Sequence, residues 1–247
     1  MNIIQNLLLA IGLFFIQPLF LLGVALVFIS RSRRISYDRK QLRATIYKDH
    51  FEVKRFFIWG LLPGLLISLL TVLIGMPITL DWIILYQVVT IVSLGMGYRF
   101  IHPIFTFSVT SLLLLGLALL NVDVTQWIPQ SAAWYGPLTE GTETAFELSQ
   151  VTFILALLLL LSTVLVLHTG DMARFIPRFL ATKRGKLVAK YRMTPFWLVP
   201  LLLIIPGEGF RPFFDWWPVF TFGNQTYSFF LLPVLIGLRY TVQAQMP

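Results

Sequence analysis

Two runs near the end of the chain decide the reading of the fold: Thr194-Pro-Phe-Trp-Leu-Val-Pro-Leu-Leu-Leu-Ile-Ile-Pro206 and Tyr227-Ser-Phe-Phe-Leu-Leu-Pro-Val-Leu-Ile-Gly-Leu-Arg-Tyr240. Each is almost wholly apolar and about 14 residues long. A helix needs at least ~17 residues to cross a bilayer core at right angles. The runs therefore read either as two short spans or as the two arms of a re-entrant hairpin buried against protein. Between them lies an aromatic stretch, Phe213-Phe-Asp-Trp216-Trp217-Pro218. Its Trp216 and Trp217 are expected to anchor at a membrane–water interface, as is Trp82 further upstream, because amphipathic rings favour the headgroup layer.

Working outward, five longer apolar runs precede these two. They are Ile3–Ile29, Phe56–Met76, Trp82–Tyr98, Phe100–Leu120 and Val151–His168. The first has no basic n-region and runs too long for a cleaved signal. Over the 247 residues, 57% are apolar and only 12% charged, with mean hydropathy +0.80. A soluble domain carries roughly 25% charged residues, so a soluble or disordered chain is excluded. The expectation is an all-α, polytopic transmembrane helix bundle of about seven spans, forming a single domain over residues 1–247.

The charges set the orientation. Residues 30–55 hold nine Lys/Arg, and residues 169–192 hold seven. With Arg99 and Arg239, 18 of the 19 basic residues fall on one side of the alternating spans, Arg211 being the exception. Asp81, Asp123, Glu140, Glu143, Glu147, Glu208 and Asp215 fall on the other, which includes the acidic loop 121–150. Retention of Lys/Arg on the cytoplasmic face then puts the N-terminus outside and the C-terminus inside.

Both basic loops interleave apolar residues with cations and read as short amphipathic helices at the inner headgroup layer. Candidate contacts to anionic lipid or to a protein partner are Arg31, Arg33, Arg34, Arg39, Lys40 and Arg43 in the first loop. Arg178, Lys183, Arg184 and Lys186 are their counterparts in the second. Each cation near such a surface contributes about 1 kcal/mol. Nucleic acid is not an expected partner, since no aromatic-interleaved platform or groove-reading motif accompanies the charge.

Motifs for chemistry are absent. Without cysteine there is neither a disulfide nor a thiolate site. There is no H-E-x-x-H zinc motif, no P-loop and no G-x-S-x-G turn. Gln17 and Gln87 sit in mid-span and read as an interhelical hydrogen bond. Pro63-Gly64, Pro103, Pro200, Pro206-Gly207 and Pro233 interrupt the spans, as they would in a transporter or lipid-handling protein. His102, His168 and Asp171 are the residues an intramembrane enzyme would have to use. The first expectation is nonetheless a non-enzymatic scaffold without a cofactor, with a second copy of the chain among its partners.

The chain resembles the membrane part of the MinJ-type cell-division topology determinants of Firmicutes. Four features carry the likeness: Gly12-Leu-Phe-Phe-Ile-Gln-Pro18-Leu-Phe20, the approach to the second span at Lys54-Arg55-Phe56, Lys183-Arg184-Gly185, and the closing set Pro206-Gly207, Trp216-Trp217-Pro218, Gly223, Tyr227-Ser228, Pro233 and Ile236-Gly237. The resemblance implies a scaffold of the bacterial plasma membrane at poles and septa, linking the curvature sensor DivIVA to MinD. It also implies a soluble C-terminal PDZ domain. This chain stops at Met246-Pro247, so no PDZ peptide-binding residue carries over.

Overall fold

The computed structural model describes residues 3–42, 51–74, 78–97, 100–120, 142–169, 177–181, 187–193, 196–206, 227–238 and 240–245. Six helices come first: α1 (Ile3–Ile16), α2 (Pro18–Leu42), α3 (Phe51–Ile74), α4 (Leu80–Met96), α5 (Pro103–Leu119) and α6 (Thr142–Thr169). Five strands follow: β1 (Pro177–Ala181), β2 (Leu187–Met193), β3 (Phe196–Pro206), β4 (Tyr227–Gly237) and β5 (Tyr240–Gln245).

The molecule is mostly helical, and the all-α expectation is corrected at its end. The two short apolar runs are the antiparallel strands β3 and β4, 11 residues each. They pair from Phe196 opposite Gly237 to Pro206 opposite Tyr227. The physical reason lies in length and proline. Eleven extended residues reach about 36 Å at ~3.3 Å each, whereas 11 helical residues reach about 16 Å. A mid-run proline breaks a helix ladder, but is tolerated on a strand edge whose N–H would point outward. Pro200 and Pro233 stand directly opposite each other. Their neighbours two residues along, Leu202 and Leu231, send backbone groups away from the ladder. Both prolines therefore occupy outward positions and cost the ladder nothing.

The second basic loop is also corrected, from helix to sheet. β1, β2 and β5 form a three-stranded antiparallel sheet in the order β1-β2-β5. The pairing of β2 with β5 is in step with that of β3 with β4: Met193 faces Tyr240 in the first and Phe196 faces Gly237 in the second.

The apolar runs upstream are helices as expected. Two of them, Glu52–Leu73 and Phe146–Val166, are long and apolar enough to cross a membrane. Leu7–Ile16 with Pro18–Ser36 makes a third if its 50° bend lies within one crossing. That bend sits at Gln17, where Pro18 lacks an N–H and biases the residue before it away from helix. α4 and α5, at 17 residues each, are shorter. α4 stops at Gly97, whose φ of 128° suits only glycine, so Gly95-Met96-Gly97 marks a break and not a packing seam. α6 starts at Thr142, which takes the last nine residues of the expected acidic loop into the helix.

The hairpin is the core. Trp197, Val199, Leu201, Leu203, Leu232, Val234, Leu235 and Ile236 have no solvent exposure. α3 lies along β3, while α1 and α2 lie against β4. Exposed residues such as Leu62, Leu65 and Leu69 line the opposite side of α3.

Candidate functional site

An isolated two-stranded sheet has two open edges of N–H and C=O groups. In hydrocarbon each unsatisfied group costs several kcal/mol. The site is built by the way helices close those edges.

On the β3 edge, α3 supplies a stripe of small and hydroxyl residues: Gly60, Gly64, Ser68 and Thr71. Four residues of helix rise about 6.0 Å and two of strand about 6.6 Å, so the two backbones keep step. A Cβ on Gly60 would stand 1.5 Å from the Leu198 carbonyl oxygen, and one on Gly64 would stand 2.6 Å from that of Pro200. One turn on, the Leu202 N–H donates to Ser68 Oγ at 2.8 Å. Thr71 Oγ1 donates toward the Leu202 carbonyl at 2.8 Å. The Ile78 N–H completes the edge on the Ile204 carbonyl at 3.0 Å.

The β4 edge is closed by longer reach. Gln17, freed by the helix bend, donates from Nε2 to the Leu231 carbonyl at 2.7 Å. Its Oε1 accepts from Gln87 Nε2 at 3.2 Å, the interhelical pair expected from the sequence. Tyr86 brings its hydroxyl toward the Leu235 backbone, beside Thr90 and Thr106. The Gly237 N–H donates to the Ile101 carbonyl at 2.9 Å. Next to it, His102 caps α5 by accepting at Nδ1 from the Ile104 N–H at 3.4 Å.

At the base of the hairpin the basic flank begins. Phe56 stacks on Phe196 with ring centres 5.3 Å apart, and Trp59 meets Trp197 edge-on at 6.2 Å. The Arg55 guanidinium lies 4.6 Å from the centre of the Trp59 ring, a favourable cation–π distance. Arg34 on α2 forms a two-pronged ion pair with Glu52 on α3, pinning the helix extension to its neighbour. Arg33, Arg39, Lys40 and Lys54 are exposed, and Arg31 is half-buried. Arg33 and Lys40, seven residues apart, share one face of α2. Neutralising anions is the chemistry this arrangement supports.

Of the other expected site residues, Arg178 lies on β1 opposite Lys190. Arg43, Lys183, Arg184, Lys186, Trp216, Trp217 and Asp171 lie outside the described residues. Trp82 does not face the interface. It is fully buried, stacked on Tyr86 at 5.3 Å, edge-on to Phe107 at 5.0 Å, with Nε1 donating to Ser111 at 3.4 Å. Its place at the start of α4 suggested an interface, but packing against Phe107 and Ser111 of α5 claims the ring. Among the described residues, no group of three or more His, Asp and Glu is placed to hold a metal ion.

Sequence reasoning missed the α3 stripe. Pro63-Gly64 reads as an interruption, yet the four-residue spacing Gly60, Gly64, Ser68 was the available signal of a close-approach face.

The cell-division topological determinant MinJ of Bacillus subtilis (strain 168) is 26% identical to this chain over 238 residues. The match covers 96% of the chain, which spans 57% of that protein's length. It bears out the MinJ-type resemblance carried by the sequence. No family model matches the chain, and no solved structure matches it.

Proposed function

We propose, with the likeness to a MinJ-type division determinant as premise, that this chain is the membrane-embedded part of a cell-division scaffold. The observation that carries the reading is the match over nearly the whole chain. The packed interior supports it. A transporter or lipid carrier needs a polar path through its centre, and here the centre is filled by an apolar hairpin whose edges are sealed.

In this reading the chain crosses the bacterial plasma membrane seven times, five times as helix and twice as the strands β3 and β4. Strands of 9–11 residues suit a crossing. The N-terminus is outside. β2 and β5, which adjoin β3 and β4 in sequence, then lie at the inner face with the basic extension of α2. Arg31, Arg33, Arg39, Lys40, Arg43, Arg178, Lys183, Arg184 and Lys186 hold anionic lipid or acidic faces of division proteins there. Arg34 positions the α2 extension through Glu52. DivIVA and MinD are the partners the resemblance implies, at poles and septa. Trp216 and Trp217 anchor the outer loop.

The test is localisation and co-purification in a rod-shaped Firmicute lacking its own determinant. A fluorescent fusion of this chain is expected at division sites, with division proteins recovered alongside. Charge reversal by R33E, R39E and K40E together is expected to disperse it while leaving it membrane-bound. Uniform peripheral fluorescence of the unaltered chain, with no division protein recovered, would overturn the proposal.

A further inference from the structure

A groove of about 660 Å3 opens sideways between α5 and α6. Ser108 and Leu112 line it from α5; Phe146, Gln150, Phe153 and Ile154 line it from α6. None of its described lining residues is charged. Its floor is fixed, because Ser111 Oγ is joined to Thr152 Oγ1 at 2.6 Å and accepts from Trp82 Nε1. Ser149 is likewise occupied, donating to the Phe146 carbonyl at 2.6 Å. Gln150 is different: it is an exposed carboxamide within the span Phe146–Val166, and Ser108 stands half-exposed across from it.

Polar groups on a lipid-facing helix surface are costly unless something hydrogen-bonds to them. We propose that this groove binds one membrane phospholipid, with its glycerol-ester region hydrogen-bonded to Gln150 and Ser108 and an acyl chain lying between Phe146 and Phe153. The inference rests on α6 crossing the membrane and not on the division role.

Three features favour a lipid over a transmembrane helix of a second copy. Among the described residues the groove runs from residue 146 to 154 on α6, about 12 Å at 1.5 Å per residue, against the ~30 Å of a full crossing. Its α6 wall is bulky and aromatic, where close helix approach needs small residues. Its polar groups are neutral donors and acceptors, suited to ester carbonyls and not to a charged headgroup. An apolar cleft of this size with a few convergent polar groups is the usual form of a small-molecule site.

The experiment uses the whole chain in nanodiscs of phosphatidylcholine doped with a diazirine-acyl phosphatidylcholine. After photolysis, adducts are mapped by mass spectrometry. Adducts are expected to concentrate on residues 108–115 and 146–154 over the lipid-facing side of α3. Q150L is expected to lower the groove labelling about threefold, the size of one hydrogen bond within a membrane. S108F, which fills the groove from the other helix, is expected to remove it while α3 labelling stays unchanged. Equal labelling of the groove and α3, or labelling indifferent to both substitutions, would overturn the site. So would a Q150C chain that forms disulfide-linked pairs and shows no groove adduct, since a second copy would then occupy it.

Discussion

The two edges of the central hairpin face the same problem and solve it differently. On the β3 edge, α3 comes so close that the strand backbone and helix backbone touch at Gly60 and Gly64, and short hydroxyls at Ser68 and Thr71 reach the groups beyond. On the β4 edge the helices stand further off, and one long side chain, Gln17, spans the gap to Leu231. The first seal depends on the absence of atoms, the second on the presence of a few. They should therefore fail differently. A close seam tolerates no addition, and a bridged one tolerates bulk but not loss of its polar end.

The largest effect is expected at Gly60. Even alanine would put a Cβ 1.5 Å from a backbone oxygen, so α3 and β3 would have to part. G60A should cost about 3 kcal/mol, at the upper end for overpacking. G64A, with 2.6 Å, should cost less. Thermal unfolding in detergent, with size-exclusion chromatography to detect aggregation, measures both. A G60A protein as stable as the parent would mean that the seam is not closed by contact.

Ser68 comes next. S68A strips the part-buried Leu202 N–H of its acceptor, which costs about 1–3 kcal/mol. Combining S68A with T71V sharpens the comparison, since both act on Leu202. Their joint cost should differ from the sum of the separate costs, as for neighbours in one network. Strict additivity would show two independent bonds and not a shared seal. Across the hairpin, Q17L should cost about 1 kcal/mol, within the range for single hydrogen bonds in membranes. Q17L and Q87L should couple through their 3.2 Å bond, whereas Q17L and S68A, on opposite edges, should add.

Much of this was legible in the residues, and the failures have physical causes. Helical spans and the Gln17–Gln87 pair follow from apolar length and from the cost of a lone amide in lipid. The strands were hidden because a strand buried on both faces shows no alternation. Phe196 to Ile205 is apolar at every position except Pro200. Length excludes a perpendicular helix, and Pro200 and Pro233 disfavour a helix interior, but short or re-entrant arms satisfy both within an all-α reading. Gly64 is ambiguous in a sequence because a glycine that breaks a helix and one that admits a neighbour look alike. Only the partner, here the Pro200 carbonyl, separates the two meanings. Trp82 likewise looks amphipathic alone, and its burial depends on Phe107 and Ser111, remote in sequence.

The smallest effect bears on the base of the β4 edge. The Ile101 carbonyl accepts from Gly237, and the adjacent His102 accepts from Ile104 through an unprotonated Nδ1. H102A removes that acceptor and should cost about 0.5 kcal/mol, the low end for loss of a helix cap, read as a lower unfolding midpoint in detergent. H102N keeps a capping oxygen and should restore most of it. Ser68 and Thr71 act on the other edge, so H102A should leave their coupling unchanged. A coupling that weakened in step with His102 would mean that the two edges open as one unit, and the contrast between a close seam and a bridged one would lose its energetic meaning.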